Sequence, residues 1–144
     1  MVSKCLSRSA ISGIPRLVRV RVSHVSTHVA LDVAVTRLTP QRLRRVFDLT
    51  VETLQTLGIA RPRIAIAALN PHAGEGGMFG RQDIDITAPI VAALRGEGHA
   101  VDGPVPGDTV FVKLRANQYD AVIAMYHDHG HIPVKLLGVS VDPE

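Results

Sequence analysis

The chain has 144 residues, enough for one domain, and 46% of them are apolar but only 3% aromatic, so its core must be aliphatic. The formal net charge of +3 is unevenly placed: residues 1–21 carry five basic and no acidic side chains, the remainder is slightly acidic, and aromatics for base stacking are lacking, so nucleic-acid binding is not expected. A single cysteine, Cys5, excludes an intrachain disulfide or a cysteine zinc site and suits a reducing, cytoplasmic setting, and no run reaches the ~18 apolar residues of a membrane span.

Residues 1–18 are basic, Ser-rich and free of acid, a composition shared with transit peptides, and read as a disordered leader ahead of one domain at 19–144. From Leu17 to Val25 the valines alternate with polar residues, which predicts a half-buried strand. The stretch STHVALDVAV crosses a loop or short helix. Thr39-Pro40 then opens the clearest helix: Thr caps, Pro occupies the first turn, Leu43, Val46, Phe47, Val51 and Leu54 recur at helical spacing, and Gly58 lies just past the end. Arg63–Leu69 is a short apolar run that predicts a strand buried on both faces, as in a parallel sheet. A glycine-rich loop, NPHAGEGG, comes after its carboxyl end. A second helix is expected from Thr87 to Arg95, a loop from Asp102 to Asp108, a buried strand at Ala121–Met125, and a short helix or turn in HIPVKLLG. Alternating strands and helices predict an α/β fold with a largely parallel sheet, whose ligands gather beyond the carboxyl ends of strands.

Two polar motifs sit at such ends. Any one histidine reads as an ordinary surface or hydrogen-bonded residue, and His24 and His99 are left so. His28, His72 and His127 each come after a predicted strand, close enough to converge at one sheet edge, where three neutral imidazoles would suit Zn²⁺, Co²⁺ or a similar ion. His127, Asp128, His129, His131 and Lys135 crowd into nine residues. A carboxylate there could fix a ligand tautomer or take a proton, and a lysine beside a cation could donate one; the bland alternative is a solvated turn. Glycines in NPHAGEGG would let the backbone approach an anion. No Gly-Lys-Ser/Thr comes next and the spacing is not GxGxxG, so neither a Walker loop nor a Rossmann dinucleotide site is supported. A metal hydrolase or isomerase on the same three histidines, needing no nicotinamide, stays open at this point.

The segments THVAL, RIAIAALNPHAGEGGMFGRQ, GPVPGDTVF and YDAVIAMYHDHGHIPVKLLG, in that order between Arg19 and Gly138, closely resemble the 4-hydroxythreonine-4-phosphate dehydrogenase family of vitamin B6 biosynthesis. HVSTHV and GHIPVKLLG look more like its sister branch, the 4-phospho-threonate and erythronate dehydrogenases. The resemblance implies an isocitrate/isopropylmalate dehydrogenase-like fold, a homodimer, and a divalent metal (Zn²⁺, Mg²⁺ or Co²⁺) held by His28, His72 and His127. It places the substrate-binding, catalytic lysine on Lys135 and the active-site carboxylates on Asp108 and Asp128. The implied reaction is oxidation of a phosphorylated hydroxy acid by NAD(P)⁺ with subsequent loss of CO₂. The chain departs from the family in length, matching a central part of a protein more than twice as long, and in His129, where relatives carry Gln. The alternative to an enzyme is therefore a non-catalytic remnant that keeps a metal site and a dimer surface.

Overall fold

The structure, a computed structural model, describes residues 3–9 and 16–138. One five-stranded sheet runs in the order β1-β2-β5-β3-β4, formed by β1 (Ser3–Ser9), β2 (Arg16–His24), β3 (Arg63–Ala67), β4 (Ala100–Val105) and β5 (Ala121–Ala124). β2, β5, β3 and β4 are mutually parallel; β1 lies antiparallel on the outer edge of β2. The helices are α1 (Leu31–Thr36), α2 (Pro40–Thr56), α3 (Ala88–Gly96), α4 (Gly107–Arg115) and α5 (His127–Gly138).

The central strands are apolar on both faces because both faces are covered. Along β3, Ile64 and Ile66 turn to a core shared with Phe47 and Leu54 of α2 and Leu94 of α3. Ala65 and Ala67 turn to the opposite core, with Val110 and Leu114 of α4 and Val134 of α5. All four residues of β5 are fully buried, as expected of a strand between two layers. α2 begins as its sequence dictates: Thr39 Oγ1 accepts the Arg42 N–H at 3.2 Å, Pro40 occupies the first turn, and Leu43, Phe47 and Leu54 form the buried stripe.

Three sequence expectations are corrected. Asp102–Asp108, expected as a loop, contains the end of β4 and the first turn of α4. Its Pro104 is compatible with a strand because β4 is at the sheet edge, where a missing N–H breaks no ladder on the outer side. Residues 3–9, expected as part of a disordered leader, form β1, which satisfies the exposed N–H and C=O row of β2; residues 1, 2 and 10–15 of that leader lie outside the described residues. Finally, the short helix or turn expected only from His131 onward begins earlier: α5 starts at His127 itself, so the histidine cluster is not a solvated turn. Among the described residues, no helix is long and apolar enough to cross a membrane.

Candidate functional site

β2, β5 and β3 are neighbours and parallel, so their carboxyl ends open on one edge of the sheet. His28 lies four residues beyond β2, His127 comes directly after the Tyr126 turn that ends β5, and His72 lies beyond β3. The strand carrying His127 is the middle one. Its ring centroid is 5.6 Å from that of His28.

His127 Nδ1–H donates to Asp128 Oδ1 at 2.7 Å. An ionised carboxylate only accepts, so this contact keeps the proton on Nδ1 and leaves the Nε2 lone pair available to a Lewis acid. His131 Nδ1–H donates to the His127 carbonyl at 3.1 Å, and the two rings stack with centroids 4.0 Å apart and planes 4° from parallel. His131 in turn packs on His24, 4.5 Å away. His24 is neither the surface nor the hydrogen-bonded histidine expected from sequence. It is only 5% exposed at the end of β2, and neither ring nitrogen has a hydrogen-bond partner among the described residues. Burial, reinforced by the neighbouring His131 and His127 imidazoles, pushes its pKa down to about 4. Gly130 makes this packing feasible: a Cβ there would collide with His24 Nε2 and come within 2.8 Å of Val22, so only glycine lets α5 lie this close to β2.

His72 is presented differently. From His72 to Gly77 six successive residues have positive φ, at 51°, 54°, 83°, 41°, 66° and 101°. The glycine loop is thus a left-handed turn. It closes on itself, since a Cβ on Gly74 would stand 2.6 Å from the Gly80 carbonyl oxygen. His72, Ala73 and Glu75 are not glycine, and each such residue costs about 1–2 kcal/mol in the left-handed region. Strain of this kind persists where the surroundings hold it and collects at functional sites. Ala73→Gly should therefore stabilise the fold by about 0.5–1 kcal/mol, after allowing for glycine's greater freedom in the unfolded chain. A urea midpoint lowered by that substitution would contradict the strain.

The structure brings some of the sequence candidates together and not others. Asp108, at the start of α4, and Asp128 line one open cleft of about 340 Å³ with Phe111, His129, Ile132 and Leu136. His129 is held there by accepting the Met125 N–H on Nδ1 at 3.1 Å, and burial lowers its pKa. Lys135 is exposed further along α5, and His72 rests against Phe79 with centroids 6.2 Å apart. Neither pairs with the other candidates in the described interactions. Among the described residues, no three His, Cys, Asp or Glu side chains already stand as a ready-made metal shell. The donor chemistry nevertheless fits a divalent ion: three imidazoles from three adjacent strand ends, one with its far nitrogen fixed by a carboxylate. The sequence reading missed His24 and also Asp83, a fully buried carboxylate that accepts the backbone N–H groups of Leu69 and Asn70 at 2.8 and 2.9 Å.

Residues 10–141 match the family model described as "Pyridoxal phosphate biosynthetic protein PdxA". The chain belongs to this family. A Bradyrhizobium diazoefficiens protein assigned provisionally as a D-threonate 4-phosphate dehydrogenase is 70% identical over 123 residues, covering 85% of this chain and 36% of the relative. The D-threonate 4-phosphate dehydrogenase of Pectobacterium atrosepticum is 48% identical over 120 residues, covering 83% of this chain and 37% of its own. The crystal structure of 4-hydroxythreonine-4-phosphate dehydrogenase from Klebsiella pneumoniae superposes with a TM-score of 0.81 at 43% identity, over 94% of this chain and 39% of that one. The fold is accordingly part of the isocitrate/isopropylmalate dehydrogenase-like architecture. The chain spans just over a third of the length of these relatives.

Proposed function

We propose that this chain supplies the metal-bearing α/β part of an NAD(P)-linked dehydrogenase that oxidises and decarboxylates a 4-phosphorylated hydroxy acid, of the D-threonate 4-phosphate or 4-hydroxythreonine 4-phosphate type. The observation that carries the reading is the position of His28, His72 and His127 beyond the carboxyl ends of three adjacent parallel strands, with His127 oriented by Asp128. His28 and His127 would hold a divalent cation (Zn²⁺, Mg²⁺ or Co²⁺), with His72 completing the set.

Such an ion, when bound, polarises a substrate oxygen and stabilises negative charge on it. The chain's own residues do the rest. Asp128 keeps the proton on Nδ1 of His127. Asp108 and Asp128 form an acidic cleft wall able to take a proton from a substrate hydroxyl. Lys135, a cation on the same helix, would neutralise a phosphate or carboxylate and return a proton after loss of CO₂. Ile132 and Leu136 give the cleft an apolar side.

The chain's share of its relatives' length favours turnover only in the company of the remaining sequence. The direct experiment is a chimera in which residues 16–138 replace the matching segment of the Pectobacterium protein. It should reduce NAD⁺ with D-threonate 4-phosphate within about tenfold of the parent, a barrier change of about 1.4 kcal/mol, and His127→Ala should abolish this activity. A folded chimera with no turnover would contradict the proposal.

We further propose a cytoplasmic homodimer. Val112 on α4 and Ile132 and Leu136 on α5 are exposed large apolar side chains, and uncovered apolar surface favours association. Sedimentation at micromolar concentration should show a dimer; a monomer at all concentrations would contradict it.

A further inference from the structure

We propose that Asp83 is a positioning residue of this centre, a buried carboxylate that braces the left-handed turn bearing His72; the inference rests on the reading of His72 as a metal ligand. Asp83 is 0% exposed, yet it pairs with no cation in the described structure. Instead its two oxygens are spent on two consecutive backbone donors: Oδ1 accepts the Leu69 N–H at 2.8 Å and Oδ2 accepts the Asn70 N–H at 2.9 Å. These donors occur where β3 has ended and the ladder no longer supplies acceptors, two and three residues before His72.

The brace has a second strut. Asn70 Nδ2–H donates to Gln82 Oε1 at 2.8 Å, so the residue leading into the turn is gripped by two neighbours on the segment leaving it. The turn folds back onto this grip. A Cβ on Gly80 would lie 2.8 Å from both Asn70 Nδ2 and Gln82 Oε1. A run of six positive φ values with three non-glycine members does not hold itself, and one that presents a ligand must hold one conformation. A buried carboxylate accepting two N–H groups is a stiff way to impose it, because releasing either donor leaves a charge unsatisfied in the interior. The position of Asp83 in the π-helical turn Asp83–Thr87 that leads into α3 ties this brace to the core.

Asp83→Asn keeps the shape but places an amide NH₂ against a backbone N–H. In the metal-free protein, hydrogen exchange of the amides from Ala73 to Gly80 should accelerate at least ~10-fold, while those of β5 stay as in the wild type. Zn²⁺ affinity, measured by calorimetry, should fall ~10–100-fold, as when the partner of a ligand is removed. His72→Ala, which removes the ligand itself, should cost at least as much, and Asp83→Asn should add nothing to it. Gly80→Ala, which displaces the Asn70–Gln82 contact, should loosen the same amides. Unchanged turn exchange in both variants would overturn the proposal. So would equal acceleration in turn and β5, which would assign Asp83 to the fold as a whole, or a loosened turn with unchanged affinity while His72→Ala weakens binding. If His72→Ala itself binds Zn²⁺ like the wild type, the metal reading fails, and the positioning role falls with it; that failure is recognised without any change at Asp83.

Discussion

The protein should lose up to about 3 kcal/mol of stability as the pH falls from about 6.5 to about 4, and His24→Leu should remove most of that loss. His24 titrates in the fold at about 4, against an ordinary value of 6.5, because burial disfavours its charged form and the His131 and His127 imidazoles add to this. The folded value is therefore depressed. Above 6.5 neither folded nor unfolded chain binds the proton, and stability is fully present. Between 6.5 and 4 the unfolded chain takes up a proton that the fold refuses, so stability declines as the pH falls, by about 1.4 kcal/mol per pH unit at most. Against the 5–15 kcal/mol typical of a domain this is a large share. Urea melts of wild type and His24→Leu at pH 7, 5.5 and 4.5 measure it. Parallel stability curves in the two proteins would contradict the assignment.

The same residue shows where the sequence is legible and where it is not. The buried strands at Arg63–Ala67 and Ala121–Ala124 and the helix from Pro40 announce themselves through local signals: apolar runs, a Thr-Pro start, helical spacing. Because parallel strands put their carboxyl ends together, the candidate status of His28, His72 and His127 is also legible once those strands are placed. His24 is not, since nothing in VSHVST tells a histidine under a helix from one facing water. Its burial depends on Gly130, more than a hundred residues away. Asp83 is hidden for a related reason. It is one acid among several in RQDIDIT, and its partners are backbone amides of a different element. β4 escapes a sequence reading because Gly103 and Pro104 carry loop signals that only an edge position overrides. The left-handed turn reads as a glycine loop, but the positive φ of His72, Ala73 and Glu75 runs against residue preference and comes from tertiary bracing.

Removing the His127 imidazole should be the most damaging single change to cation binding. It sits on the middle of three strands, 5.6 Å from His28 and oriented by Asp128, so losing it removes both a donor and its contact with His28. Losing a ligand outright should cost at least ~100-fold, the upper end of the range for losing only a ligand's hydrogen-bonding partner. Asp128→Asn, which alters only the partner, should cost less, ~10-fold or more within that same range. The measurement is a Co²⁺ titration monitored by visible absorption, because the intensity and position of the metal's own bands report nitrogen ligation without any turnover. Wild type should bind one equivalent with bands that His28→Ala, His72→Ala and His127→Ala each weaken or abolish. Saturation at the same Co²⁺ concentration, with the same spectrum, in wild type and His127→Ala would contradict a metal centre built on these three histidines.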